Sequence, residues 1–224
     1  MGIAYVGGGN SGSILVGPSS PITCTLNIPA ASLVCVTTRC TSATANFTAM
    51  TVNGASCTVK SFTAFGVNSQ IQLGYLWNFG GNSSSSVSCT YSGVAGFSII
   101  TVDWFSGVQT SSDPFLTSAS GTGGASVTSG SYANSTGNLA YAFASAEQTS
   151  SGWTAGSGFT TAQAAPGGNG VAAFSEYSIT QNGTVTASAT GNGSGAGSGI
   201  YVATFAVATI VTGLNLRTLM GVGT

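Results

Sequence analysis

The sequence predicts an all-β protein: a single antiparallel β-sandwich of about twelve short strands. Its apolar segments are short and rich in Val, Ile, Phe and Tyr, the residues that suit a pleated, half-buried surface. Turn signals break them up, with 34 glycines and repeated Asn-Gly and Gly/Ser clusters. Strong helix formers are scarce, with only three Lys plus Arg in the whole chain.

Taken in order, residues 3–6 read as a short strand and residues 7–13 as a flexible Gly/Asn/Ser turn. Strands follow at 14–16 and 22–28, parted by Gly17-Pro18. Residues 33–38, LVCVTT, are apolar at successive positions and suit a strand buried on both faces. Asn53-Gly54 predicts a hairpin turn between 47–52 and 56–65. Over 71–79, Ile71, Leu73, Tyr75 and Trp77 alternate onto one face. Residues 80–86 read as a loop, and Val87, Cys89 and Tyr91 alternate again. Residues 96–108, GFSIITVDWFSGV, are the longest apolar run in mid-chain, and their β-branched stretch 99–102 reads as buried on both faces. An acid such as Asp103 in that run must be paired, hydrogen-bonded or at the strand's edge.

Beyond Val108 the texture changes. Residues 109–131 read as a long crossing loop with one weak strand at 125–128. Strands are expected at 139–144, 171–179, 184–190 and 200–211, with loops at 149–158 and 164–170 and a glycine-rich tip at 191–199. Neither half presents a complete core of its own. The expectation is therefore one sandwich domain over residues 1–212 and a tail over 213–224.

Charge is nearly absent. Arg39, Lys60, Arg217, Asp103, Asp113, Glu147 and Glu176 are the only formally charged side chains, 3% of the chain, and the net charge is −1. A typical soluble domain is about one quarter charged. A chain that is 42% hydrophobic is still not of disordered type. The surface must be built from Ser, Thr, Asn, Gln and backbone, which suits a protein held in an assembly. There is no basic footprint to neutralise phosphates, so no nucleic-acid partner is expected. The first residues show no signal-peptide pattern. The apolar segment 200–211 is too short to span a bilayer as a helix, so no membrane partner is expected either.

The chemistry is thin. With no histidine, the usual serine triad lacks its base and zinc lacks a common ligand. Asp103 and Glu176 are the carboxylates that would have to meet across strands to act as a glycosidase pair. The expectation is no catalytic residue, no metal site and no cofactor, with both acids hydrogen-bonded at strand ends. Five cysteines, 24, 35, 40, 57 and 89, leave at least one thiol unpaired. Cys24 shares a face with Ile22, Leu26 and Ile28, and Cys35 and Cys40 fall on opposite faces of one strand. A bridge involving Cys57 or Cys89 stays open. Of three tryptophans that could form a glycan platform, Trp77 and Trp104 lie in apolar strands, and Trp153, in a Ser/Gly loop, is expected to be the exposed one.

Residues 99–108, IITVDWFSGV, are followed by Pro114, Ser151-Gly152-Trp153-Thr154, Glu176-Tyr177 and a closing apolar strand at 201–210. Together they resemble the jelly-roll, concanavalin-like β-sandwich family found in tailed-phage and prophage structural proteins. The resemblance spans roughly residues 2–211, with Phe105 standing as an extra residue before Ser106-Gly107-Val108. It implies a jelly-roll sandwich and a non-enzymatic virion component, such as a capsid decoration or head/tail accessory protein. Such a protein is made in the host cytoplasm, partners other capsid or tail proteins and assembles as a homo-oligomer. Leu214, Leu216, Arg217, Leu219 and Met220 in the tail are then a docking arm. The alternative is a carbohydrate-binding or host-adhesion module that takes a glycan through Trp153.

Overall fold

The computed structural model describes residues 2–12, 14–15, 21–40, 46–60, 70–92, 96–146, 152–168, 171–191 and 197–209. Strands of the first half are β1 (Ala4–Asn10), β2 (Ile14–Leu15), β3 (Ile22–Ile28), β4 (Ala31–Cys40), β5 (Asn46–Val52), β6 (Ala55–Ser56), β7 (Thr58–Lys60), β8 (Gln70–Phe79), β9 (Asn82–Ser92) and β10 (Phe97–Ser106). Those of the second half are β11 (Phe115–Gly123), β12 (Ser126–Thr128), β13 (Tyr132–Asn134), β14 (Leu139–Ala146), β15 (Thr154–Ala155), β16 (Thr160–Gly168), β17 (Val171–Ser178), β18 (Gly183–Val185), β19 (Ser188–Thr190) and β20 (Ser198–Phe205). The chain is all-β and antiparallel as expected. Twenty strands among the described residues exceed the dozen expected, because several are ladders of two or three residues.

Every ladder stays within one half. The first half forms an inner sheet, β1-β10-β4-β8-β7 with β2 also on β10, and an outer sheet, β3-β9-β5-β6. The second half forms an inner sheet, β11-β20-β14-β17-β16, with the smaller sheets β12-β19-β15 and β13-β18 outside it. Three apolar cores follow. One lies between the first half's two sheets and holds Val34, Val36, Met50, Val87, Ile100 and Val102. One lies under the second half's small sheets and holds Ala140, Ala142, Phe174, Ala189 and Val202. The third joins the two inner sheets through Leu33, Tyr75, Phe105, Tyr141, Phe143 and Phe205.

This layering accounts for the sequence pattern. An inner strand is covered on both faces, so it cannot alternate apolar with polar and reads as a continuous run. β10 sends Ile99 and Phe105 into the central core and Ile100, Val102 and Trp104 into the first half's own core. β14 sends Leu139, Tyr141 and Phe143 one way and four alanines, 140, 142, 144 and 146, the other. Neither half was expected to present a complete core of its own; each holds an apolar cluster between its sheets, and the shared third core joins them.

Several stretches read as loop or turn contain strands, among them 149–158, which holds β15, and 164–170, into which β16 runs. Gly7-Gly8-Gly9 lies inside β1, paired with β10. The glycines are there for space. A Cβ on Gly7 would come 3.0 Å from the Trp104 ring, one on Gly9 would come 2.7 Å from Leu26, and one on Gly8 would overlap Asp103 and Gln163. Asn82 to Ser86 begin β9, and the Ser/Thr/Gly stretch expected to cross as a loop contains β11, bonded to β20. β11 alternates half-buried and exposed positions, so backbone pairing defines it more than apolar side chains do. The Asn53-Gly54 hairpin forms as expected, with φ of 50° and 78° at its two turn residues.

Candidate functional site

Asp103 is a buried acid on the seam between the halves, hydrogen-bonded from both of them. Its strand, β10, lies between β1 and β4, with Gly8 and Cys35 as its ladder partners. Its carboxyl is fully buried and faces the central core. Tyr141 Oη on β14 donates to Oδ2 at 2.8 Å. Gln163 Nε2 on β16 donates to Oδ1 at 2.7 Å, and Tyr5 Oη on β1 donates to the same oxygen at 3.2 Å. Gln163 Nε2 also lies 2.8 Å from the Val102 carbonyl, and Asn10 Nδ2 donates to Gln163 Oε1 at 3.4 Å. Burial pushes the Asp103 carboxyl above the usual aspartate range, while the hydrogen bonds from Gln163, Tyr141 and Tyr5 act against that shift. Burial and the neighbouring Asp103 charge raise the Tyr141 and Tyr5 phenols. Two donors come from the second half and one from the first, so this acid ties the halves together.

Glu176 is buried on the opposite face of the second inner sheet. Its ladder partner is Ala142, whose side chain faces the second half's own core, whereas Tyr141 next to it faces Asp103. Gly156 N–H donates to Oε2 at 2.9 Å, and Oε1 has no hydrogen-bond partner among the described residues. Burial pushes this carboxyl up to about 8, against the hydrogen bond from Gly156. A β-sheet therefore separates the two acids expected to meet if they formed a glycosidase pair. Asp103 has its oxygens engaged by protein donors, and Glu176 is held neutral in an apolar site. Neither geometry presents an acid/base pair to a substrate.

A third cluster lies at the rim. Asp113, in the segment linking the halves, accepts from Tyr75 Oη at 2.9 and 3.0 Å and from Phe115 N–H at 3.0 Å. Lys60 Nζ stands 3.9 Å above the Phe115 ring. Tyr75 packs edge-on against Phe205 at 5.1 Å, so this cluster pins the link to the central core. No group of three or more Cys, Asp or Glu among the described residues is placed to hold a metal ion.

Trp153 is corrected: it is buried, not exposed. Its ring stacks on Phe174 at 5.9 Å and covers Gly191, where a Cβ would approach it to 3.0 Å. The cause is the alanine face of β14, which leaves room that large rings from outside must fill. Trp104 is buried and Trp77 packs at the edge of the central core, so neither is an open glycan platform. Leu214, Leu216, Arg217, Leu219 and Met220 lie outside the described residues.

All five cysteines are free. Cys35 belongs to the central core and Cys40 to the first half's core, on opposite faces as expected. Cys57 and Cys89 flank Met50 on either side, since Cys57 N–H donates to the Met50 carbonyl and Cys89 is Met50's ladder partner. Two strand spacings, about 10 Å, then separate their backbones, beyond the roughly 7 Å a bridge can span.

Sequence reasoning identified Asp103 and Glu176 as the acids to explain. It missed Gln163 and Tyr5, which stand 60 and 98 residues from Asp103 along the chain. No local signal links residues so far apart. No described helix is long and apolar enough to cross a membrane. Comparison with protein-family models, characterised proteins and solved structures returns no match.

Proposed function

We propose that this chain is a virion structural protein of a tailed phage or prophage, a capsid decoration or head/tail accessory protein that docks on the particle and self-associates. The observation that carries the reading is where the few charges lie. Arg39, Asp103 and Glu176 are buried, which leaves Lys60 and Asp113 as the charged side chains near the surface among the described residues. Copies with so little surface charge do not repel one another and pack side by side.

The outer faces are polar without charge. Thr23, Ser88, Thr51 and Ser56 form a row across the first outer sheet, and Ser126, Thr190 and Thr154 form one across the second half's. Hydroxyl rows of this kind hydrogen-bond to water or to a neighbouring copy without the desolvation cost of charges. Within this reading, the sequence resemblance alone carries the jelly-roll winding, and residues 214–220 serve as the docking arm. Truncation after Gly213 is expected to leave the stacked sheets folded, with unchanged circular dichroism and melting temperature, and to abolish particle attachment. Normal decoration by the truncated chain would eliminate the arm.

A further inference from the structure

We propose that Asn182 deamidates spontaneously in the folded protein while Asn53, in the same Asn-Gly context, is protected. Four Asn-Gly steps occur in the chain, at Asn53, Asn169, Asn182 and Asn192, and the first and third lie within the described residues. Glycine after asparagine leaves the following backbone nitrogen open to approach, because no Cβ stands in the way. The sequence therefore treats Asn53 and Asn182 alike, and the fold distinguishes them.

Asn53 is tethered. Its Oδ1 accepts Ser86 N–H at 2.8 Å, its Nδ2 reaches Ser85 Oγ at 3.5 Å, and it occupies a two-residue turn with positive φ. Bringing its Cγ against Gly54 N requires breaking those contacts. Asn182 is exposed, and its side chain makes no hydrogen bond among the described residues. Its neighbours are fixed instead. Gln181 Oε1 accepts from Tyr132 Oη at 3.0 Å, Gln181 Nε2 donates to the Ser157 carbonyl at 3.2 Å, and Gly183 pairs with Asn134. The Asn182 side chain is thus left free between two anchored residues.

The chemistry needs only water. Gly183 N, losing its proton to base, attacks Asn182 Cγ; the bond from Cγ to Nδ2 breaks and ammonia leaves. Water then opens the succinimide ring at either carbonyl, giving aspartate or isoaspartate. Each conversion adds one negative charge, which takes the net charge from −1 to −2. In a chain this poor in charge, that is a large relative change. The inference stands independently of the virion reading.

The test is peptide mapping by mass spectrometry of the intact chain, incubated folded at mildly alkaline pH and, in parallel, in concentrated urea. In the folded protein, Asn182 is expected to convert about tenfold faster than Asn53, the factor that one well-formed hydrogen bond to the Asn53 side chain implies. In urea the two rates should converge, and Asn182→Gln should remove the acidic species assigned to this site. Asn53 converting as fast as Asn182 in the folded protein would overturn the proposal. So would an unchanged rate ratio in urea, since sequence rather than fold would then set the difference.

Discussion

Asp103→Ala is expected to destabilise the protein by about 2–4 kcal/mol, read as a lower urea midpoint, because it leaves one fully buried donor without its acceptor and takes an acceptor from two half-buried ones. The fully buried Tyr141 Oη loses its acceptor outright, whereas the half-buried Gln163 Nε2 and Tyr5 Oη keep the Val102 and Ala162 carbonyls. Asp103→Asn should cost less, about 1–2 kcal/mol, because the amide keeps one acceptor and a tyrosine hydroxyl can turn to accept from its NH2. Gly8→Ala attacks the same atoms from the other side. Its methyl would overlap Asp103 and Gln163, for an expected loss of about 1–3 kcal/mol. If Asp103→Ala unfolds within about 0.5 kcal/mol of the parent, the network is not what joins the halves.

Glu176→Gln is expected to stabilise the protein at slightly alkaline pH. The sign follows from linkage. The unfolded carboxyl titrates near 4.5 and the folded one near 8, so between those values the unfolded chain is ionised while the folded chain keeps its proton. Unfolding then releases a proton, and stability falls as pH rises, by at most about 1.4 kcal/mol per pH unit. Below 4.5 both states are protonated and the penalty is absent; above about 8 both are ionised and the slope ends. Asp103, also raised by burial, adds a slope of the same sign. Glutamine keeps a carbonyl oxygen for Gly156 N–H and cannot ionise, so the variant should gain about 1–3 kcal/mol at the upper end of the window and show a flatter profile. Equal slopes for parent and variant, from urea unfolding across the window, would show that Glu176 does not hold its proton.

Much of the fold was legible because burial leaves a mark in composition. The runs LVCVTT and IITV predicted doubly buried strands, and β4 and β10 are the centre of an inner sheet. The alternation of Ile71, Leu73, Tyr75 and Trp77 placed one face of β8 correctly against the central core. Strands defined by backbone bonding were not legible. β1 is glycine-rich because Trp104, Gln163 and Leu26 occupy the space of its side chains, and that crowding comes from elsewhere in the chain. β11 and the start of β9 carry Ser and Thr in place of charges, which reads as loop when charge and hydropathy are the guides.

The acids were legible as a problem but not as an answer. Asp103 had to be hydrogen-bonded, and it is. That Glu176 faces the other side of the sheet follows from the register of β14 with β17, which no short-range pattern encodes. Trp153 misled for the reverse reason. A Ser/Gly loop normally exposes its aromatic, but the alanine face of β14 draws this one inward. The segregation of the ladders into two halves was hidden as well, since the change of texture beyond Val108 reads equally as a crossing loop within one sandwich and no short-range pattern says which strands pair.

In the proposed virion role, a β stack with only Lys60 and Asp113 as charged side chains near the surface among its described residues works as many copies on a particle. Quantitative mass spectrometry of purified particles, with copy number, tests that most directly. The chain is expected in high copy, in stoichiometry with a shell or tube protein. Its absence from particles, with the protein recovered free and monomeric, would contradict the account.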